Sequence, residues 1–126
     1  MKVLVFGTFD HLHPGHQFVL DTASARGDLF VVVARDKTVE RIKGKTPRQP
    51  EAERQAAIQS VYPHAHVILG DSADYLVPVR EIQPDIILFG YDQQLPPGVT
   101  EEALGAKIER LPAFEPHKYK SSLQGK

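Results

Sequence analysis

The feature that most constrains the fold of this chain is a series of short, nearly continuous apolar segments separated by stretches with helical character. Their apolar residues follow one another instead of alternating with polar ones, so both faces of each segment are expected to be covered. Alternation of such strands with helices predicts an α/β fold, a Rossmann-like, doubly wound and mainly five-stranded parallel sheet with helices on both faces. The predicted strands are Lys2–Phe6, Leu29–Ala34, His66–Leu69, Asp85–Phe89 and, with a weaker pattern, Lys107–Leu111.

The connecting segments carry signals for the beginnings and ends of helices. Pro14 suits the first position of a helix that Gly27 ends, and Pro50 begins a second helix. A third helix is predicted at Glu101–Ala106, whereas Pro78 either starts or interrupts a helix before the fourth strand. Two segments are predicted to be irregular, Arg35–Gln49 and Gln93–Val99.

The bulk composition limits the partners and the chemistry. A chain of 126 residues suits one domain, residues 1–126. A formal net charge of −1 gives no global attraction to nucleic acid, and no apolar run approaches the roughly 20 residues that span a bilayer. Without cysteine the chain has no thiolate nucleophile. We therefore expect a cytoplasmic protein with neither nucleic acid nor a membrane as its partner.

The loop after the first strand is predicted to bind an anion. In an open α/β sheet, ligands bind beyond the carboxyl ends of strands where the strand order reverses, and a helix N-terminus there presents free N–H groups. His13 and His16 are three residues apart at the predicted helix start, so both rings can face one phosphate and stabilise its developing charge. A histidine pair alone also fits a metal fragment or a structural cluster, but no metal ligand is predicted. The other residues of this loop predicted to form the anion site are Gly7, Thr8, Phe9, Asp10 and Gly15.

The complete string in this loop is more specific than the histidine pair. It reads Gly-Thr-Phe-Asp, then two residues, then His-Pro-Gly-His, and it follows directly on the predicted strand. This string closely resembles the signature of the cytidylyltransferase-like nucleotidyltransferases. The resemblance implies an enzyme that transfers a nucleoside monophosphate from a nucleoside triphosphate to a phosphorylated acceptor and releases pyrophosphate. It also implies catalytic roles for His13 and His16, and a homodimer, as in small relatives.

The resemblance continues into the basic segment after the second strand. Family members carry one or two lysines in this loop, and these lysines close over the triphosphate. Lys43 and Lys45, separated by Gly44, fit this catalytic role because a long stem with three rotatable donors suits a moving phosphate clamp. The alternative is a solvated basic loop. Arg54, early in the helix after Pro50, matches a family position and is predicted to bind the nucleotide.

The loop after the fourth strand is expected to lie beside the first loop, across the point where strand order reverses. The resemblance places Asp92 near the nucleotide sugar and base, and its neighbours Gly90 and Tyr91 are predicted to bind the nucleotide as well. The alternative for Asp92 is a residue that closes a tight turn.

The C-terminal segment resembles the family's last motif less closely. The resemblance predicts that Lys120, Ser121 and Ser122 hold the β- and γ-phosphates, the alternative being a polar tail. The family motif usually contains an arginine, and this chain has none after Arg110. Lys118 or Lys120 would then supply the positive charge.

The motif defines the reaction class but leaves the base and the acceptor open. The proline in His-Pro-Gly-His, the segment after the second strand and the Asp-Gln after the fourth strand resemble the FAD-synthase-like branch. This resemblance favours ATP and FMN as substrates. The alternatives are CTP with glycerol 3-phosphate or a similar polyol phosphate, or a non-catalytic nucleotide-binding module. Mg²⁺ is expected to enter with the triphosphate, because it keeps several waters and favours phosphate oxygens.

Overall fold

The computed structural model of the chain describes residues 1–91, 93, 95–96 and 98–112. These residues form a five-stranded sheet in the order β3-β2-β1-β4-β5, and every pair of neighbouring strands is parallel. The α/β, doubly wound architecture is the one that the sequence predicts. The strands are β1 (Lys2–Gly7), β2 (Asp28–Val33), β3 (His66–Leu69), β4 (Ile86–Phe89) and β5 (Lys107–Arg110).

Helices cover both faces of this sheet. Side chains alternate across a strand, so Val3 and Val5 of β1 face one layer and Leu4 and Phe6 face the other. The first layer contains α1 and α3, through Leu20, Ala23 and Ile58, and the second contains α4 and α5, through Val79, Ile82 and Leu104. The helices are α1 (Pro14–Arg26), α2 (Asp36–Lys43), α3 (Glu51–Val61), α4 (Val77–Ile82) and α5 (Glu101–Leu104). Of the described helices, none has the length and apolarity that crossing a membrane requires.

Helix α2 corrects the prediction that the whole of Arg35–Gln49 is irregular. The backbone N–H of Asp36 at the start of α2 donates to the carboxylate of Glu51, at 2.8 Å, so a residue from the next helix caps this one. Gly44 ends α2 in the left-handed region, with φ of 76°, and its N–H donates to the Glu40 carbonyl. A cap supplied from another helix leaves no local signal in the sequence.

Two other predicted helices differ in detail. Pro78 lies in the first turn of α4, so it starts this helix and does not interrupt it. Helix α5 ends at Leu104, two residues earlier than predicted, because Gly105 leaves the helical region with φ of 64°. Helix α1 ends at Arg26, as predicted, but Gly27 is extended, and its role is steric: a Cβ atom there would lie 2.4 Å from the Met1 carbonyl oxygen.

Candidate active site

A cavity of about 950 Å³ opens beyond the carboxyl ends of β1 and β4, where the strand order reverses. The residues after β1, the first turns of α1, one side of α2 and the residues after β4 line it. The predicted residues Gly7, Thr8, Phe9, Asp10, His13, Gly15, His16, Lys43, Lys45, Gly90 and Tyr91 all contribute to its lining. The fold therefore brings the two predicted loops and both lysines together at one site.

The turn after β1 is built around the ring of Phe9. Phe9 is buried and has a φ of 55°, a conformation that is uncommon outside glycine and that often occurs at ligand sites. A Cβ atom on Gly7 would lie 2.7 Å from two carbons of the Phe9 ring. The space that a side chain at position 7 would need is therefore filled by the Phe9 ring.

The two histidines of the motif stack on each other. Their ring centroids are 3.7 Å apart with an interplanar angle of 21°, and the Phe9 ring meets His16 edge-on at 5.3 Å. His13 caps α1, because its Nδ1 accepts a hydrogen bond from the Gly15 N–H at 3.1 Å. In the neutral ring, this bond assigns the proton of His13 to Nε2.

His16 is held in its neutral form. Burial of the ring and the positive charges of His13 and Lys43 lower its pKa to about 4. Its Nδ1 is buried and has no hydrogen-bond partner among the described residues. At neutral pH, His16 can therefore donate a hydrogen bond to a phosphoryl oxygen without acting as a fixed positive charge.

The catalytic lysines predicted from the sequence lie at the end of α2. The Lys43 ammonium donates to the Thr8 hydroxyl at 3.2 Å, so this lysine already reaches the loop after β1. Lys45 follows Gly44, is exposed and also lines the cavity. The helix thus delivers positive charge opposite the stacked histidines, on the other side of the space where a phosphate chain would lie.

Arg54 does not occupy the position that the sequence predicts. Its side chain is 0% exposed and it is not one of the residues that line the cavity. Its guanidinium donates to the Asp36 carboxylate at 2.6 Å and to three backbone carbonyls, those of Thr8, Ala34 and Gln49, at 2.8, 2.8 and 3.0 Å. Arg54 therefore fixes the loops beneath the site instead of binding the nucleotide directly.

The predicted nucleotide-binding residue Asp10 also fastens one loop to another. Its carboxylate accepts the backbone N–H groups of Arg48 and Gln49 at 2.8 and 2.9 Å, and the Arg48 bond is the main cause of its lowered pKa. The Gln49 side chain accepts the His11 N–H at 2.9 Å in return. The segment that follows the lysines is thereby attached to the histidine loop.

The sequence reasoning missed the residues that support the edges of the site. Glu51 accepts from Arg35 at 3.0 Å as well as from the Asp36 backbone, and Arg35 donates to the Gly70 carbonyl at 2.7 Å. The helix dipole alone favours an acidic residue in the first turn of a helix, so the contacts of Glu51 with Arg35 and Asp36 leave no separate signal in the sequence.

The loop after β4 has its own supports, which were also missed. The Gln93 side chain donates to the Phe6 carbonyl at 2.8 Å and accepts from the Gly90 N–H at 3.1 Å. Arg110 donates to the carbonyls of Gly90 and Gln93 at 2.9 and 2.6 Å. Tyr91 is 56% exposed at the mouth of the cavity. Four predicted site residues lie outside the described residues and remain predictions: Asp92, Lys120, Ser121 and Ser122.

The geometry defines a class of site. A helix N-terminus, two stacked imidazoles and a lysine facing one cavity fit the binding and transfer of a phosphate chain. The family model described as Cytidylyltransferase-like matches residues 4–115, and the chain belongs to this family. It is a nucleotidyltransferase, as the sequence predicts, and not a non-catalytic module.

Two curated proteins with sequences similar to this chain are named FAD synthase. The chain is 44% identical to the FAD synthase of Methanosarcina mazei over 117 residues, and this matched region covers 88% of this chain and 76% of that protein. It is 40% identical over 107 residues to the FAD synthase of Methanosphaerula palustris, with coverages of 84% and 69%.

Solved structures share the fold. A lipopolysaccharide core biosynthesis protein from Thermoplasma volcanium is 36% identical and superposes with a TM-score of 0.81, over 91% of this chain and 98% of that one. A protein of unknown function from Archaeoglobus fulgidus, 20% identical over 89% of this chain and 90% of its own, has the same fold with a TM-score of 0.65.

The neutral state of His16 predicts a pH dependence of stability. The ring has its usual pKa of 6.5 in the unfolded chain and a pKa of about 4 in the folded one. The contribution of His16 to the free energy of unfolding is therefore most favourable above pH 6.5, and it becomes less favourable as the pH falls from 6.5 to 4. Chemical unfolding at several pH values should show a smaller loss of unfolding free energy across this window in His16→Gln than in the wild type. The same change at exposed His64 should keep the wild-type slope, and parallel slopes for all three proteins would contradict the assignment.

The buried position of Arg54 predicts a large cost for its removal. Arg54→Leu leaves the Asp36 carboxylate and three carbonyls without this donor, and we expect a loss of about 3–5 kcal/mol in unfolding free energy. Arg80→Leu is a matched control, because Arg80 binds Asp74 at the same 2.6 Å but is 59% exposed. That loss should be about 1 kcal/mol or less. Urea unfolding measures the loss of unfolding free energy in both variants. Equal losses would show that burial of the Arg54–Asp36 pair does not increase its contribution to stability.

Proposed function

We propose that this protein is an FMN adenylyltransferase, which transfers AMP from ATP to the phosphate of FMN to form FAD and pyrophosphate. The observation that carries the proposal is the convergence of His13, His16 and Lys43 on one cavity beside the α1 N-terminus. The names of curated relatives at 40% and 44% identity support FMN as the acceptor.

The proposed reaction is a direct in-line displacement. An oxygen of the FMN phosphate bonds to the α-phosphorus of ATP, and the bond from this phosphorus to the bridging oxygen breaks, so that pyrophosphate leaves with the electron pair. A phosphate monoester has its second pKa near 6, so the attacking oxygen is already deprotonated at neutral pH and needs no general base. The enzyme contributes position and charge stabilisation, which dominate in phosphoryl transfer.

The residues of the cavity divide these tasks. Neutral His16 donates a hydrogen bond to the α-phosphate, and the Nε2–H of His13 donates beside it, without repulsion between the stacked rings. Lys43 and Lys45 supply positive charge to the leaving phosphates. Because these donors are fixed before the reaction, they stabilise charge as it develops in the transition state.

Mg²⁺ is proposed to enter bound to the triphosphate, where it neutralises charge on the pyrophosphate. Two carboxylates occur in the described lining, and backbone N–H groups engage both. Asp10 accepts the N–H groups of Arg48 and Gln49 at 2.8 and 2.9 Å, and Asp71 accepts those of Ala73 and Asp74, both at 2.8 Å. Because backbone donors already engage both carboxylates, we propose phosphate oxygens and water as the ligands of Mg²⁺.

The assembly and location of the enzyme are further proposals from the family resemblance. We propose a homodimer, which light scattering at working concentration tests, and a cytoplasmic location. A monomer would leave the chemistry untouched, because every group assigned a role above belongs to one chain.

The phosphate-binding roles predict a strong loss of activity. His13→Ala or His16→Ala should lower turnover by about 100-fold or more, because each removes a preorganised donor. Replacing both Lys43 and Lys45 with alanine should lower kcat/KM for the triphosphate by at least about 10-fold. Release of pyrophosphate measures all three variants.

A matched pair of lysines controls for net charge. Lys37 and Lys107 are exposed and do not line the cavity, so the double change of these residues to alanine should leave kcat/KM near the wild-type value. Near-normal turnover in a folded histidine variant would remove the catalytic role. Equal effects of the two lysine pairs would show that the Lys43 segment acts only through net charge.

The substrate assignment predicts a specific product. The wild-type protein with ATP, FMN and Mg²⁺ should form FAD, which chromatography detects, while CTP should replace ATP poorly. A site that hydrogen-bonds one base edge leaves buried polar groups unpaired with another base, so the difference should be large. Consumption of CTP with glycerol 3-phosphate, and none of ATP with FMN, would instead identify a polyol-phosphate cytidylyltransferase.

A further inference from the structure

The cavity consists of two lobes with different chemistry. The phosphate lobe contains Thr8, His13, His16, Lys43 and Lys45, and it adjoins α1, where Phe9 and Val19 belong to the first core layer. The aromatic lobe lies across the end of β1, on the side of α4, where Phe6 and Tyr75 belong to the second core layer. The lining of the aromatic lobe consists of Phe6, Val32, Thr38, Ile42, Tyr75 and Pro78.

Stacked rings form the centre of the aromatic lobe. Phe6 and Tyr75 have centroids 4.4 Å apart and an interplanar angle of 21°, and both residues line the cavity. Val32 and Pro78 are buried beside them, and Ile42 is 44% exposed at the edge. Burial raises the pKa of Tyr75, so the ring stays uncharged at physiological pH. Such a surface is suited to a flat apolar group and gives no advantage to a small charged one.

Helix α2 lies beside this lobe and is hydrogen-bonded to the segment after β3. Arg41, in the last turn of α2, donates to the Ser72 carbonyl at 2.9 Å, and Arg35, just before the helix, donates to the Gly70 carbonyl at 2.7 Å. Hydrogen bonds therefore join both ends of α2 to the segment after β3. The same helix places Lys43 on Thr8 in the phosphate lobe. A ligand that extends from one lobe to the other would therefore pass beneath a single rigid element.

One buried polar atom in this lobe has no partner. The Thr38 hydroxyl is buried, and it makes no hydrogen bond with a described residue. A buried hydroxyl without a partner costs free energy, and few are left so in folded proteins. Because Thr38 lines the cavity beside the aromatic stack, rotation of its side chain brings this hydroxyl to the polar edge of a flat ring.

We propose that the aromatic lobe binds the heteroaromatic ring of the acceptor, and that Tyr75 and Thr38 select a flavin phosphate over polyol phosphates. This inference rests on the proposed function and adds the residues that determine acceptor choice. Tyr75 and Phe6 supply the aromatic wall, and the Thr38 hydroxyl bonds a polar atom of the ring. The acceptor phosphate then lies toward Thr8 and Lys43, where the α-phosphate is attacked. A polyol phosphate has no ring and leaves this lobe unused.

Steady-state kinetics of FAD formation, with FMN and ATP varied in turn, tests this assignment. Tyr75→Leu should raise KM for FMN by about 10-fold, the value expected for loss of an aromatic contact, and should leave KM for ATP within about 2-fold. Thr38→Val, which removes only the hydroxyl, should raise KM for FMN by a smaller factor of about 5. Tyr75→Phe keeps the ring and should restore KM for FMN to within about 3-fold of the wild type.

Matched measurements separate this inference from the proposed function. Thr22→Val is the control for Thr38→Val, because the Thr22 hydroxyl bonds the Phe18 carbonyl and Thr22 does not line the cavity. If the wild type forms no FAD, the proposed function fails. If it forms FAD but Tyr75→Leu and Thr38→Val keep the wild-type KM for FMN, only the acceptor site is wrong. A rise in KM for ATP without one for FMN would place the nucleotide base in the aromatic lobe and overturn the assignment. If Tyr75→Leu does not fold, the comparison of KM for FMN between Thr38→Val and Thr22→Val tests the assignment.

Discussion

The arrangement of the site depends on one buried cation. Arg54 is the one charged residue in the buried part of the described chain, and water cannot compensate its charge. Its partners therefore have to be protein atoms, and they are the carbonyls of Thr8, Ala34 and Gln49 together with the Asp36 carboxylate. These atoms belong to the histidine loop, the end of β2, the segment before α3 and the start of the lysine helix. Moving any of these segments would break a bond to a buried charge, so Arg54 fixes the four segments relative to one another.

The sequence predicts the sheet because its signal is local. A strand that is buried on both faces needs a continuous apolar run, so β1 to β4 can be recognised within four to six residues, whereas β5 at the sheet edge has a weaker pattern. The lysine helix and the role of Arg54 depend instead on distant partners. Glu51 caps α2 from 15 residues away, and Arg54 reaches the Thr8 carbonyl across 46 residues. No window of sequence contains both members of such a pair, so the prediction treated Arg35–Gln49 as irregular and Arg54 as a ligand-binding residue.

In the site, too, the sequence identifies residues but does not reveal their environment. The motif identifies His13 and His16 but says nothing about the charge of His16, which depends on burial, on its neighbour His13 and on Lys43, a residue in another element. The physical consequence is considerable, since a neutral His16 ring gives a directional hydrogen bond and avoids placing two cations 3.7 Å apart between centroids. Likewise, Gly7 is recognisable as part of the motif, yet the reason for it is the ring of Phe9, whose left-handed backbone is not encoded by any local pattern.

Different parts of this fold determine the reaction class and the choice of substrate. Every nucleoside triphosphate presents the same phosphates, so the histidine loop and the lysines cannot distinguish one base or acceptor from another. Discrimination requires groups whose shape or hydrogen bonds match one partner and leave polar atoms unpaired with the other. In this chain such groups are available in the Phe6–Tyr75 stack and the Thr38 hydroxyl, outside the motif that defines the family. The same fold with the same phosphate site can then serve different acceptors when the groups outside the motif differ.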